Sequence, residues 1–391
     1  MLSISFRHMP ARITTALALT LLASGAIAQS SDPIKVGLML PTSGTFAELG
    51  KTVVNGFKLY VSENGGKLAG RTVQYVELDD ESDPSKANEN ANKLVKRDRV
   101  DVLVGTIHSG VAMTMARVAR DTNTLMIVPN AGAAEITGAM CAPNVFRTSF
   151  SNWQPGYASG LLAARKHKTA VTISWKYAAG DESVRGFREG FEKGGGKVIK
   201  DLNLPFPNVE FQPLLTELAT IKPEAAYVFV AGAGQVKFVR DYAAAGLKNN
   251  IPLYGAFITE GTLAAQGESA SGLQTALHYA DGLKNPKNDA FIASYKNTFN
   301  ATPDVFAVQG YDAAQLFAAG LNAVKGDTKK KAEMIKAMEI AKLESPRGPL
   351  SFSKSHNPIQ DMYARVATGN QNVMTDVIVK ALADPSPDCK I

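Results

Sequence analysis

No apolar run in this 391-residue chain reaches the ~20 residues that a membrane-spanning helix needs. The expectation is therefore a soluble protein rather than a channel or an anchored one. Charge of one sign is not concentrated either: 42 Lys and Arg stand against 36 Asp and Glu, for a net +6. The densest basic run, Lys329-Lys330-Lys331, falls at a predicted loop-to-helix boundary and reads as solvated surface, so no nucleic-acid partner is expected. Cysteine is almost absent, with only Cys141 and Cys389. An even count favours one disulfide in an oxidising compartment, the alternative being two unpaired thiols. The histidines His108, His167, His278 and His356 show no metal-ligand spacing, and no metal is expected. The G-x-S-x-G elbow of hydrolases is missing. Gly232-Ala233-Gly234 opens like a dinucleotide fingerprint, but Lys237 stands where its last glycine belongs. Gly194-Gly195-Gly196-Lys197 has no following Ser or Thr and reads as a turn. No cofactor is implied. Asp79-Asp80-Glu81 with Asp83 is a strand end followed by a helix cap rather than a cation site.

What is present begins with a secretory leader. Arg7, His8 and Arg12 form a basic start, Ala16 to Ile27 is almost wholly apolar, and Ala26-Ile27-Ala28 supplies a cleavage pattern. Residues 1–28 are expected to be removed after Ala28, leaving a mature periplasmic protein that starts at Gln29. The remainder suffices for two domains of roughly 150 residues each. Short β-rich runs alternate with helical patterns: strand 34–40, helix 47–63, strand 72–78, a helix from Asp83-Pro84, strand 101–105, helix 111–121 and strand 125–128. A second series follows from Thr169, with strands 170–175, 197–202, 226–230 and 253–255, and helices 183–193, 213–220 and 235–245. Helices at 289–299, 305–324 and 331–340 are too few for a third domain, so the chain is expected to cross back and complete its first half. The expected fold is α/β, two Rossmann-like lobes with parallel sheets joined by a three-strand hinge. The first lobe takes 29–148 plus 281–348, and the second 149–280 plus 349–391. A cleft between lobes is a common ligand location.

Several strings, in this order, resemble the periplasmic solute-binding proteins of ABC importers, in the Leu/Ile/Val-binding class. They are Ile34–Gly50, Gly105-Thr106-Ile107-His108-Ser109, Val128-Pro129-Asn130-Ala131-Gly132, Phe146-Arg147-Thr148, Tyr177-Ala178-Ala179-Gly180, Phe211-Gln212-Pro213 and Gly310-Tyr311-Asp312-Ala313-Ala314. The resemblance spans essentially the mature chain. It implies a type I periplasmic binding protein fold, a monomer that closes on its ligand like a trap, and docking of the closed form on membrane permease subunits. It further implies that Ser109 and the loop Asn130, Ala131, Gly132 hold a ligand carboxylate. Loops at strand C-termini lead into helix N-termini, whose free N–H groups favour an anion. The competing role for Ser109 is to cap the helix that follows. Gly132 replaces a family Thr, leaving only backbone to donate there.

The main departure is Phe257, which matches the position where amino acid binders carry a Glu for the ligand ammonium. A phenyl ring cannot neutralise a buried ammonium, and an unpaired buried charge is costly. The expectation is thus a carboxylate with an aromatic, keto or hydroxy body. Phe46, Tyr177 and Phe306 are expected around it, with Ala231 and Gly232 leaving room where the family has a bulky Tyr. His108 is expected in the pocket and Trp153 in hinge packing. Three other readings stay open: an amino acid or amide binder with Glu260 as its acid, a ligand-sensing receptor module, and an exported hydrolase built on Ser109 and His108.

Overall fold

Ile34–Met39 (β1) is apolar at nearly every position because it lies in the middle of a sheet and is buried on both faces. In the computed structural model, residues 1–3, 32–385 and 388–391 are described. The expected leader and its cleavage site lie outside the described residues. Among those residues no helix is long and apolar enough to cross a membrane.

The chain continues through α1 (Ala47–Glu63), β2 (Lys67–Leu68), β3 (Arg71–Leu78), α2 (Pro84–Asn92), β4 (Val102–Val104), α3 (Ser109–Asp121), β5 (Leu125–Val128), α4 (Ala134–Thr137) and β6 (Val145–Arg147). The Asp83 side chain accepts from the Ser85 N–H and Pro84 takes the first turn, as the sequence pattern predicts. These strands form one sheet in the order β2-β3-β1-β4-β5-β6, parallel except for the β2–β3 pair.

The second series is α5 (Trp153–Ala164), β7 (Thr169–Lys176), α6 (Ala178–Lys193), β8 (Lys197–Pro205), α7 (Gln212–Ile221), β9 (Ala225–Phe229), α8 (Ala233–Ala244), β10 (Leu253–Gly255), α9 (Leu263–Gln266) and β11 (Gln274–Leu277). Then come α10 (Pro286–Phe299), α11 (Val305–Ala323) and α12 (Lys331–Glu339), and finally β12 (Leu350–Phe352), β13 (Pro358–Thr368) and β14 (Gln371–Leu382). The second sheet runs β12-β13-β11-β10-β9-β7-β8, with β14 on β13. Its β7–β11 pairs are parallel, whereas β13 runs antiparallel to β11, β12 and β14. Both sheets are therefore mostly parallel, as expected, with antiparallel pairs at their edges. The fold is of the type I periplasmic binding protein kind, two α/β lobes.

The late helices go back to the first sheet: α11 packs on α1, β5 and α12, and α10 on α1. The expected divisions fall between β6 and α5, between β11 and α10, and between α12 and β12. A buried arginine knits these crossings together. Arg347 pairs with Asp312 (3.0 Å) and donates to the carbonyls of Thr148 and Ser149 and to Gln360. Trp153, expected in hinge packing, opens α5 just beyond the first crossing, stacks on Tyr157 at 4.4 Å and donates to Glu189. Cys141 and Cys389 form a disulfide, 248 residues apart in sequence, which ties the C-terminal tail to the loop before β6.

Candidate functional site

A small cavity of about 30 Å³ lies between the lobes. Its wall is assembled from the carboxyl ends of strands in both sheets, where α/β proteins bind ligands. Phe46 and Leu49 come from the β1–α1 junction, Ile107 and Ser109 from beyond β4, Asn130 and Gly132 from beyond β5. Phe150 and Asn152 stand on the first crossing. From the second lobe come Tyr177 and Ala179 at the start of α6, Phe229 and Ala231 beyond β9, and Phe257 beyond β10. Phe306, from the start of α11, completes it.

No charged side chain is among these lining residues. Phe257 meets Phe150 at 4.8 Å, Phe306 at 6.3 Å and Phe229 at 6.5 Å, spacings at which aromatic rings attract one another. The polar atoms belong to Ser109, Asn130 and Asn152 and to the Tyr177 hydroxyl. Asn130 is held by its amide, which donates to Gln309 at 2.8 Å, and Gln309 in turn meets His278 at 3.2 Å. Ser109 occupies the first turn of α3 rather than its cap position, leaving its hydroxyl only a long contact of 3.5 Å from Asn152. Gly132 is required by close approach: a Cβ there would sit 2.4 Å from Asn152 Oδ1 and 2.7 Å from its backbone nitrogen.

His108, Ala131 and Gly232 do not line the cavity. His108 is the cap of α3: its Nδ1 accepts from the N–H groups of Gly110 and Val111, at 3.0 and 3.4 Å. The competing role foreseen for Ser109 thus belongs to its neighbour. Burial pushes the His108 imidazole down to about 4, so it is neutral, and its ring packs among Phe46, Tyr177 and Phe206. Ala131 is buried, its N–H spent on the Thr106 carbonyl. Gly232 precedes α8 at φ +60°, with the Thr45 carbonyl of the opposite lobe against it. Glu260, three residues beyond Phe257, is buried against Arg365 at 2.6 Å and accepts from Asn372. It does not line the cavity.

Phe150, Asn152, Phe229, Ala179, Leu49 and Ile107 escape the sequence reading. Phe229 and Ile107 flank residues that it named, but nothing local distinguishes a pocket phenylalanine from a core one. Glu182 is the other omission, an acid of the second lobe standing behind Asn152. Its carboxylate accepts from Asn152 Nδ2 at 2.9 Å and from the Ala134 N–H, 3.0 Å from each oxygen. Among the described residues no cluster of His, Cys, Asp and Glu is arranged to hold a metal ion.

Residues 33–371 match the family described as periplasmic binding protein. The chain belongs to that family. It is similar to the solute-binding protein of an ABC transporter from R. palustris in complex with benzoate: 49% identical, covering 92% of this chain and 100% of that one, with a TM-score of 0.90. A second binding protein, from Rhodopseudomonas palustris BisB5 in complex with 3,4-dihydroxy benzoic acid, is 31% identical over 90% of this chain and 99% of its own, with a TM-score of 0.85. The Leu/Ile/Val-binding protein homolog 6 of Brucella melitensis biotype 1 is 30% identical, with 89% of this chain and 92% of that protein covered. Family and fold together make this chain the solute-binding subunit of an ABC transporter.

Proposed function

We propose that the cavity captures a small aromatic carboxylate of the benzoate class for import. The observation that carries this reading is the uncharged, phenylalanine-rich wall with Ser109, Asn130 and Asn152 as its polar part. An arene gains from rings on several sides, while a carboxylate finds the Ser109 hydroxyl and the side-chain amides of Asn130 and Asn152. A zwitterionic amino acid would bury its ammonium without a partner, since Phe257 is on the wall and Glu260 is committed to Arg365. The similarity to a protein in complex with benzoate supports the same class.

Capture works by bridging. Ligand that touches both lobes favours the shut form, which docks on the permease, and the chain itself makes or breaks no bond. The ring nitrogen of His108 nearest Ser109's helix is engaged as a cap, which argues against a Ser–His nucleophile pair. The test is thermal unfolding and calorimetry with benzoate, hydroxybenzoates and leucine. At about a hundredfold excess over Kd, benzoate should add about 2.7 kcal/mol of stability, and leucine none. A response to leucine without one to benzoate overturns the assignment.

A further inference from the structure

We propose that Glu182 is a latch between the lobes, fastening α6 to the first lobe at Ala134 and sensing the cavity through Asn152. The proposal rests on reading the cavity as a capture site between closing lobes.

Glu182 stands on α6, which packs on β7, β8 and β9 of the second sheet. Ala134 is the first residue of α4, beside the first sheet. Both carboxylate oxygens of Glu182 lie 3.0 Å from the Ala134 nitrogen, so this contact spans the seam between lobes. Asn152 Nδ2 supplies a further donor at 2.9 Å and also lies 3.5 Å from Ser109 Oγ. Asn152 and Ser109 both line the cavity. A row of groups thus runs from the seam to the place where a ligand carboxylate would sit: Ala134, Glu182, Asn152, Ser109.

A buried carboxyl group needs hydrogen-bond partners, and it costs least to bury when it also keeps its proton. Here those partners converge only while the lobes are together. Separation removes the Ala134 N–H and returns Glu182 to water. A ligand oxygen that engages Ser109 fixes Asn152 in the position that Glu182 needs, so occupancy and fastening reinforce each other.

The surroundings give the latch a proton dependence. Burial pushes the Glu182 carboxyl up to about 8 against the lowering effect of the Ala134 and Asn152 donors, with a smaller push from the charge of Glu135 on α4. The other groups that face it are the Arg147 guanidinium from β6, itself beside Asp384 at 3.8 Å, and the Tyr177 hydroxyl. In the separated form Glu182 is hydrated and titrates in the ordinary carboxylate range. The shut form therefore binds more protons between that range and about pH 8. Closure, and with it ligand affinity, should strengthen as pH falls through this window.

The experiment measures benzoate dissociation rates and affinity from about pH 5.5 to about pH 8.5, with solution scattering to follow compaction. Benzoate stays ionised throughout. The wild type should bind more tightly toward the acid end. Glu182→Ala should release benzoate at least about tenfold faster and compact less on binding. Glu182→Gln, which keeps acceptor oxygen and shape, should retain compaction but lose the pH slope. An alanine variant with the wild-type release rate and compaction overturns the latch. A folded wild type that binds no benzoate refutes the ligand reading alone. The latch is then judged on ligand-free protein, where Glu182→Ala must shift scattering toward the open form and an unchanged profile overturns it.

Discussion

Gly132 and Asn152 illustrate how the cavity depends on single positions. The Asn152 backbone N–H donates to the Gly132 carbonyl at 2.8 Å, and no side chain larger than hydrogen fits between them. The space beside this position is taken by the Asn152 amide, brought in from the first crossing. Ser109 is left as the one hydroxyl of the first-lobe wall. Ser109→Ala should weaken benzoate binding about tenfold to a hundredfold, the worth of one hydrogen bond to a charged group. Calorimetry reads the affinity, and an unaltered melting temperature of the free protein shows that the fold is intact. His108 teaches the opposite lesson. A histidine beside a ligand serine invites a chemical role, yet its position before α3 makes it a cap, a role set by backbone geometry three residues on.

At the scale of elements, the missed pieces share a cause. β13 was not foreseen because Pro358–Thr368 is buried on both faces in its middle, which erases the two-residue alternation. α5 contains Pro155, Gly156 and Gly160, residues that argue against a helix when read locally. The glycines are there because α5 and α6 nearly touch: a Cβ on Gly156 would lie 2.3 Å from the Ser183 carbonyl oxygen, and one on Gly190 of α6 2.1 Å from that of Tyr157. The hinge is likewise a product of convergence. Arg347 joins α11, through Asp312, to the first crossing, through Thr148 and Ser149. Arg347→Met strands a buried Asp312 and should cost about 3–5 kcal/mol in denaturant unfolding. Replacing Asp312 as well, with Leu, should recover part of that loss. Single and double variants of equal stability would refute the pairing as the source.

For the whole molecule, the Cys141–Cys389 bridge fastens a tail that leaves the second sheet back onto the first lobe. Asp384, from the same tail, lies 3.8 Å from the Arg147 guanidinium. Replacing both cysteines by Ser should lower stability by about 2–5 kcal/mol, read as a fall in melting temperature. Benzoate affinity should be unchanged, because neither cysteine lines the cavity.

The two α/β series, their order and most helix bounds are legible in the residues alone, because hydrophobic periodicity and caps act over a few positions, and the ordered motif strings add the family. The sequence also identified Phe46, Ser109, Asn130, Gly132, Tyr177, Ala231, Phe257 and Phe306, all of which the structure brings to one wall. Only the tertiary structure decided that Phe257 rather than Glu260 faces the gap, that His108 turns away to cap a helix, and that Asn152 and Glu182 stand at the seam. The placement of the acids depends on which residues meet in space, Glu260 with Arg365 and Glu182 with Asn152 and Ala134, 30 and 48 positions away, and no local pattern in a chain encodes such a meeting.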